Sequence, residues 1–402
     1  MNATMPLIHH FVSLRCRCRR LSGALFTVFA LFAATATKAE AEYSFTLIAD
    51  SAGPLGSFDF NSPALNAVGT VAFRASLDTG IQGVFSGNGN TITTIAIAPS
   101  LSGYLGPPAI NRAGTVAFAA SPNSGSGDSI FAGNGGPLVT IANTAGQFKD
   151  FAAGHSTAIN TSGTVAFWAS QDAGPAGIFI NSGGAVMPVF LNSAPLFADS
   201  SIAFNDAGTL AFRKSNGTGI VTVNGGLITT IADSTGPLNY FGSAPSLNGN
   251  GTVAFVAGIN GSDGGTFGIY TGNGGPLTTI ADISGPFSSF GSFNFGHPSI
   301  NDAGTVAFGA ILDAGGGGLF IGDGTATNEV IGSGDALFGS TVTGLSISPT
   351  SLNDSGQVAF YYELANGTTG IAIANPVPEP APALLLALSF GLSLARRTTR
   401  KC

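Results

Sequence analysis

Asn301-Asp302-Ala303-Gly304-Thr305-Val306-Ala307-Phe308 is the stretch that decides the fold. Its pattern, Asn-x-x-Gly-x-(Val/Leu)-Ala-Phe, occurs seven times, at spacings of 43 to 53 residues. The copies begin at Asn66, Asn111, Asn160, Asn205, Asn248, Asn301 and Asn353, and their glycines are Gly69, Gly114, Gly163, Gly208, Gly251, Gly304 and Gly356. A repeat of this length indicates an architecture made of successive copies of one supersecondary unit.

Each copy predicts a tight turn followed by a short strand. The Asn side chain bonds to its own backbone two residues further on and Gly adopts positive φ, so Asn-x-x-Gly favours a hairpin turn. In the strand that follows, Val71 and Phe73 point to one face, and Thr70 and Ala72 point to the other. One face is bulky and the other is small. Stacking a bulky face on a small one explains the alternation.

Three more short strands accompany each copy. They are a lead-in such as Pro298-Ser299-Ile300, a second apolar piece such as Gly177-Ile178-Phe179, and a third such as Thr278-Thr279-Ile280-Ala281. Asn-Gly pairs such as Asn273-Gly274 suit type I′ turns before the third piece. Four antiparallel strands in 40–50 residues are the size of one β-propeller blade.

The two ends of the repeat region complement each other. The last copy stops at Ile373-Ala374-Asn375, where its fourth strand is due, and Thr46-Leu47-Ile48-Ala49-Asp50 stands before the first copy. That N-terminal piece matches Thr230-Ile231-Ala232-Asp233 and is able to complete the seventh unit. The sequence therefore predicts an all-β fold, a seven-bladed β-propeller of four-stranded antiparallel blades closed by an N-terminal strand. A β-solenoid and a pair of sandwiches are the alternatives.

Residues 43–375 also resemble tandem-repeat proteins known for an Asn-x-x-Gly-x-x-Ala-Phe motif, which carry interchangeable C-terminal anchors. The resemblance implies no established activity. The fourth copy departs from the pattern with Leu210 in place of Val.

Charge is sparse and unevenly distributed. Charged residues make up 9% of the 402, and nine of the 14 Lys and Arg lie in residues 1–39 and 396–401. Residues 40–375 hold five basic and 20 acidic residues, a net charge of −15, which argues against nucleic-acid binding. The cysteines, Cys16, Cys18 and Cys402, lie outside this body, which therefore has no disulfide, Cys metal site or Cys nucleophile.

Residues 1–39 are typical of a secretion signal. Arg15, Arg17, Arg19 and Arg20 precede an apolar stretch at 21–34, and small residues offer cleavage after Ala36 or Ala39. An uncleaved N-terminal anchor is the alternative, although the apolar run is short for a membrane span.

Residues 376–402 have three parts in a fixed order. Pro378-Glu379-Pro380 is followed by an apolar run at 381–395 and then by a basic tail that starts with Arg396 and Arg397. This order resembles the PEP-CTERM sorting signal of Gram-negative bacteria. The resemblance implies processing by a membrane exosortase, transient membrane contact through this segment, and association with exopolysaccharide. The alternative is a plain C-terminal membrane anchor.

No set of residues in the body predicts catalysis, a cofactor or a metal. His155 and His297 lie in separate, non-adjacent repeats, and Asp206, Asp302 and Asp354 each follow a repeat Asn, where turn chemistry is expected instead of calcium binding. The aromatic run Phe287, Phe290, Phe293 and Phe295 is either a sugar-stacking surface or blade packing. Packing is favoured because Phe58 and Phe60, Phe148 and Phe151, and Tyr240 and Phe241 occupy comparable positions, and Trp168 is expected to be packed or at an edge.

Two functions follow from these observations. The favoured prediction is an exported, non-enzymatic protein of the cell surface or extracellular matrix, structural or binding, with exopolysaccharide as a candidate partner. The alternative is an extracellular propeller hydrolase or lyase acting on polysaccharide. That alternative needs one blade to break the pattern with reactive residues, and Lys149, Asp150 and Asp199, the nearest departures, form no set.

Overall fold

The seven repeat strands, with Val-Ala-Phe in six copies and Leu-Ala-Phe in the fourth, lie inside seven antiparallel sheets. The computed structural model describes residues 42–59, 63–97, 101–104, 106–122, 127–151, 157–192, 201–214, 217–259, 266–290 and 297–378. The described residues form strands and turns, and no helix among them is long and apolar enough to cross a membrane. They all belong to one compact unit, residues 41–380.

The first strand, β1 (Tyr43–Asp50), belongs to the last sheet, and the chain then forms blades 1 to 6 in order. Blade 1 contains β2 (Leu55–Phe58), β3 (Ala64–Leu65), β4 (Val71–Leu77), β5 (Gln82–Gly87) and β6 (Ile92–Ile97). Blade 2 contains β7 (Leu101–Tyr104), β8 (Ala109–Ile110), β9 (Val116–Pro122), β10 (Ser129–Gly133) and β11 (Val139–Asn143). Blade 3 contains β12 (Phe148–Asp150), β13 (Ala158–Ile159), β14 (Val165–Gln171), β15 (Ala176–Asn181) and β16 (Met187–Asn192).

Blades 4 to 7 follow the same plan. Blade 4 contains β17 (Ala203–Phe204), β18 (Leu210–Arg213), β19 (Gly219–Asn224) and β20 (Leu227–Asp233). Blade 5 contains β21 (Tyr240–Phe241), β22 (Ser246–Leu247), β23 (Val253–Ile259), β24 (Thr266–Gly272) and β25 (Thr278–Asp282). Blade 6 contains β26 (Phe287–Phe290), β27 (Ser299–Ile300), β28 (Val306–Leu312), β29 (Gly317–Gly322) and β30 (Thr327–Gly332). Blade 7 contains β31 (Ala336–Leu337), β32 (Ser340–Ser346), β33 (Val358–Leu364), β34 (Thr369–Pro376) and β1.

The innermost strand is broken, which the sequence did not predict. In blade 1, β2 pairs with one end of β4 (Leu55 opposite Leu77) and β3 pairs with the other end (Leu65 opposite Val71), and the two pieces are separate strands. Pro63 immediately precedes β3. A proline has no N–H to offer a ladder, so it favours an interruption at this point. Proline stands at the same position in three more blades, as Pro108, Pro245 and Pro298.

Blades stack through the predicted bulky and small faces. Phe73 of blade 1 packs with Ala359 of blade 7, and Phe118 of blade 2 packs with Ala72 of blade 1. The same pairing recurs at the other five junctions, so each bulky face lies against the small face of the preceding blade. All seven repeat phenylalanines are at most 1% exposed. Full burial of such a side chain contributes about 1.5–3 kcal/mol.

The ring is closed by the first and last strands. β1 runs antiparallel to β34, with Tyr43 opposite Pro376 and Thr46 opposite Ile373, and the Val377 N–H donates to the Glu42 carbonyl at 2.8 Å. The fold is a seven-bladed β-propeller, as predicted, and the solenoid and sandwich alternatives are wrong.

The turns follow the prediction in one place and depart from it in another. All seven repeat glycines have φ between +75° and +84°. The prediction of type I′ turns at Asn-Gly pairs is wrong, because Phe338 is the only non-glycine of the described residues with positive φ, and a type I′ turn needs two left-handed residues. Within two-residue turns of the described chain, two consecutive residues with positive φ occur at Gly225-Gly226 of blade 4 and at Phe338-Gly339 of blade 7.

Candidate functional site

The repeat asparagines form a belt around one end of the ring. The side-chain oxygen of each accepts the N–H of the residue four positions later, at 2.8–3.1 Å. At six of the seven blade junctions the side-chain Nδ2 donates to the backbone carbonyl of the next repeat asparagine, at 2.9–3.4 Å. All seven side chains are buried. The Asn therefore shapes its own turn, as predicted, and also ties its blade to the next.

Blade 7 connects this belt to the closing strand. It has Gln357 where the other copies have Thr. The Gln357 Oε1 accepts from Asn353 at 2.8 Å, and its Nε2 donates to Asn375 Oδ1 at 2.7 Å. Asn375 Nδ2 in turn donates to Thr46 Oγ1 of β1 at 3.0 Å. Gln357 thus connects the asparagine belt to β1, the strand that closes the ring.

The three aspartates that follow repeat asparagines make a second set of links. The carboxylates of Asp206, Asp302 and Asp354 accept backbone N–H groups of the preceding blade, from Thr161 (2.7 Å), Gly249 (2.6 Å) and Asp302 (2.8 Å). A carboxylate that accepts an N–H is a strong hydrogen-bond partner. Turn chemistry was the predicted role, whereas these bonds join neighbouring blades.

A segment of blade 7 crosses the axis of the ring. Ser348 Oγ donates to the Pro63 carbonyl of blade 1 at 2.6 Å. Ser246 Oγ of blade 5 donates to the Pro349 carbonyl at 2.7 Å, although blades 5 and 7 are not neighbours in the ring. An axial cavity of about 100 Å³ remains, lined by Pro108, Thr157, Ser201 and Ser246 together with this segment.

Most of the aromatic candidates are packed. Phe287 and Phe290 are buried against Phe308, with ring centroids 5.8 and 6.0 Å from it, and Phe148 and Phe151 surround Phe167 in the same way. Phe58 contacts Phe73, Phe241 contacts Phe255, and the exposed Tyr240 meets Phe267 edge-on. Trp168 is buried on the side of blade 4. Packing is therefore confirmed for the described phenylalanines of the aromatic set, whereas Tyr240 is exposed and Phe60, Phe293 and Phe295 lie outside the described residues.

The remaining candidates are not brought together. His297 is half-buried immediately before β27, and His155 and Asp199 lie outside the described residues, as do Glu379, Pro380, Arg396 and Arg397 of the predicted sorting signal. Pro378 is exposed just beyond β34, and Lys149 and Asp150 lie in β12. In the part of the chain that the structure describes, no three His, Cys, Asp or Glu side chains group to hold a metal ion.

Sequence reasoning missed an ion pair in blade 1. Arg74 of β4 forms a salt bridge with Asp59, the first residue after β2, and the two side chains are 15% and 23% exposed. They border a cavity of about 150 Å³ that is also lined by Ser57, Ser76 and Gln82. The signal was visible as a departure from the repeat. The residue after the repeat Phe is Arg in only two copies, at Arg74 and Arg213.

Two tyrosines of blade 7 are strongly perturbed. Burial raises the pKa of Tyr361 far above its ordinary value, and its hydrogen bond to Glu363 Oε1 (2.8 Å) raises it further. Burial also raises the pKa of Tyr362, with a smaller contribution from the charge of Asp50. Both hydroxyls therefore stay protonated at neutral pH, so neither tyrosine is suited to act as a general base.

Residues 213–352 and 338–384 match a family of unknown function, DUF7453. No curated protein matches the chain. The structure is similar to the β-propeller domain of the Trilobed protease from Pyrococcus furiosus, with a TM-score of 0.52, 13% identity, and coverage of 80% of this chain and 98% of that one. That domain is described as having an open velcro topology, whereas β1 closes the ring here.

Two oligogalacturonate lyase structures are also similar. The enzyme from Vibrio parahaemolyticus gives a TM-score of 0.51 at 12% identity, with 85% of this chain and 99% of that chain covered. A lyase solved in complex with manganese gives 0.52 at 9% identity, with 84% and 99% covered. At these identities the likeness establishes the β-propeller fold alone.

Proposed function

We propose that this chain is an exported, non-enzymatic protein of the cell surface or extracellular matrix, which serves as a closed scaffold and binds a glycan. The observation that carries the non-enzymatic part is the role of the polar side chains in and beside the asparagine belt, which bind backbone groups. There the repeat asparagines and Asp206, Asp302 and Asp354 hold backbone groups of their own or neighbouring blades. Side chains held in this way stabilise the ring and are not available for proton transfer.

The export part is supported by the two chain ends. The predicted signal at 1–39 and the sorting signal at 376–402 flank a body whose ring closes within residues 43–376. Removal of both segments would leave every strand of the propeller in place except for Pro376, the last residue of β34. A surface poor in charge and a body with a net charge of −15 fit an extracellular scaffold better than a nucleic-acid-binding protein.

The test is expression in a Gram-negative host that has an exosortase, with fractionation of cells and medium and mass spectrometry of the mature termini. We expect cleavage after Ala36 or Ala39 and loss of the tail that contains Arg396 and Arg397. Replacing Glu379 and Pro380 by Ala should leave the tail attached and hold the chain in the membrane fraction, while replacing Thr398 and Thr399 by Ala should not. A wild-type chain that keeps Cys402 in every fraction would contradict the proposal.

Enzymatic activity is tested separately. The chain is incubated with polygalacturonate and with neutral polysaccharides, and new reducing ends and unsaturated products are measured. We expect none above the level given by heat-unfolded chain. Turnover that disappears on substitution of residues in a single blade would support the hydrolase or lyase alternative.

A further inference from the structure

Blade 1 carries a row of polar side chains that crosses three of its strands. Ser57 of β2 lies opposite Ser76 of β4, and Ser76 lies opposite Gln82 of β5. Residues directly opposite each other in antiparallel strands project to the same face. Arg74, two residues before Ser76 in β4, projects to that face as well. The backbone thus gathers hydroxyl, amide and guanidinium groups beside one cavity.

The position of this row separates it from the belt. It lies at the end of β4 remote from the Asn66 turn, because Ser76 is near the C-terminal end of the strand and Val71 follows the turn. The equivalent row in blade 5 is Tyr240, Gly258 and Phe267, and in blade 6 it is Ser289, Ile311 and Gly317. Neither contains an amide or a charged group. Blades 3 and 7 do carry a charged group in this row, at Asp150 and Glu363, so a polar row is not confined to blade 1. In blade 1 the row borders the cavity.

The Arg74–Asp59 pair is arranged differently from the other arginine at this position. Arg213 of blade 4 donates to the Phe241 carbonyl of blade 5 at 3.1 Å, which is a structural link between blades. Arg74 pairs with Asp59 of its own blade at the edge of the cavity. A half-buried ion pair presents fixed donors and acceptors with no net charge.

These groups define the class of ligand. Serine hydroxyls and the Gln82 amide both donate and accept, the Asp59 carboxylate accepts, and the guanidinium donates. The cavity of about 150 Å³ is below the roughly 300–1,000 Å³ of sites that enclose a drug-sized molecule, so it admits one ring-sized unit. Asp59 neutralises the charge of Arg74, and the body carries a net charge of −15, so the surroundings of the cavity repel an anionic ligand.

We infer that the blade 1 cavity formed by Ser57, Asp59, Arg74, Ser76 and Gln82 binds one uncharged sugar unit of a polysaccharide. This inference deepens the glycan binding proposed above and rests on it. Vicinal hydroxyls of the sugar are held between the Asp59–Arg74 pair and Gln82, and the rest of the polymer extends over the exposed side of Ser57 and Gln82.

Affinity electrophoresis of the full chain tests this inference. The chain is purified in a detergent without a sugar head group and run through gels containing dextran, galactomannan or soluble cellulose derivatives, with polygalacturonate as the anionic polymer. We expect retardation by at least one neutral polysaccharide and none by polygalacturonate. Gln82→Ala and Asp59→Asn should weaken that binding about tenfold, the loss of one or two hydrogen bonds to a ligand.

Arg74→Gln should weaken binding as well, and Arg213→Gln is its matched control, because it changes the same repeat position in blade 4 and does not line this cavity. It should bind as the wild-type chain does. Gln82 is exposed, so Gln82→Ala is expected to keep the unfolding temperature of the wild type even if Asp59→Asn lowers it. The inference thus does not depend on a variant that fails to fold.

The outcomes separate this site from the proposed function. If the wild type binds a neutral polysaccharide and all the blade 1 variants bind it equally well, glycan binding stands and the site is wrong. Binding of polygalacturonate alone would also overturn the site. If the wild type binds no polysaccharide while its termini are processed as proposed, the glycan part fails and the export part stands.

Discussion

The side-chain amide of Asn353 donates a hydrogen bond to the backbone carbonyl of Asn66, at 3.2 Å and across 287 residues of sequence. The same bond joins Asn248 to Asn301 in the middle of the chain. The junction between the last and first copies is therefore built like the internal ones. A motif that recurs for local reasons, to shape a turn, also carries the contact that makes the ring continuous.

Asn248→Ala should destabilise the propeller. It removes the acceptor of the half-buried Thr252 N–H (2.8 Å) and the donor to the carbonyl of the buried Asn301 (2.9 Å). Leaving a buried group unsatisfied costs about 1–3 kcal/mol. Urea unfolding should show this loss. Asn366→Ala, at an exposed turn where the side chain accepts the Thr368 N–H, is the control and should cost less. Equal losses for the two variants would contradict a special role of the belt.

Gly251→Ala should cost stability through the backbone alone. Gly251 has φ of +83°, and no atom lies within 4 Å of the position that an added Cβ would occupy, so the new methyl group meets no clash and only left-handed strain. That strain is about 1–2 kcal/mol. Gly184 has equally open surroundings without positive φ, so Gly184→Ala should be neutral or slightly stabilising. Thermal unfolding of both variants tests the difference, and a destabilised Gly184→Ala chain would count against this explanation.

Tyr362→Phe should leave stability unchanged or raise it by up to about 1 kcal/mol. The side chain is fully buried, and its hydroxyl has no hydrogen-bond partner in the described part of the chain. Removing an unsatisfied polar group relieves a desolvation cost. Tyr361→Phe is the comparison. It loses a bond to Glu363 and should destabilise by about 0.5–1.5 kcal/mol. Urea midpoints that fall equally for both would show that the Tyr362 hydroxyl has a partner.

Thr325→Val should raise the pKa of Asp323. The hydroxyl and the N–H of Thr325 donate to this carboxylate at 2.7 and 2.9 Å, and these bonds hold its pKa below the ordinary value. A lowered carboxyl pKa adds stability above the unfolded pKa, about 3.9, and that stability is lost as pH falls through the folded pKa.

Carboxyl ¹³C shifts followed from about pH 6 to about pH 2 should show the midpoint of Asp323 moving toward its ordinary value in the variant. Asp233, held by the same pair of bonds from Thr235, should remain low in both proteins and is the internal reference. An unchanged Asp323 midpoint would mean that the hydroxyl bond does not set its pKa.

The repeat made most of the fold predictable, because size alternation and turn residues are local properties. Val71 and Phe73 specify a bulky face wherever the blade stands, and the spare strand at Thr46 to Asp50 specifies the closure. The broken inner strand was missed because β3 has two residues, too few for periodicity to detect. Only the position of Pro63 hinted at the interruption.

The site was less predictable, since its residues depend on pairings that single positions do not reveal. Asp59 and Arg74 are 15 residues apart and meet because β2 and β4 are paired. Ser246 meets Pro349 only because a blade 7 segment crosses the axis. The asparagines were recognised as turn residues, but their second bond needs the neighbouring blade, which a single copy does not contain.

The pairing of the first and last strands, β1 and β34, has a topological consequence. Glu42 and Val377 are hydrogen-bonded neighbours, so a short linker between them would convert the chain into a covalent circle without moving a strand. New termini then become admissible at an exposed connection between two blades, such as Thr235–Gly236. The architecture of the folded ring therefore does not depend on which blade comes first in the chain.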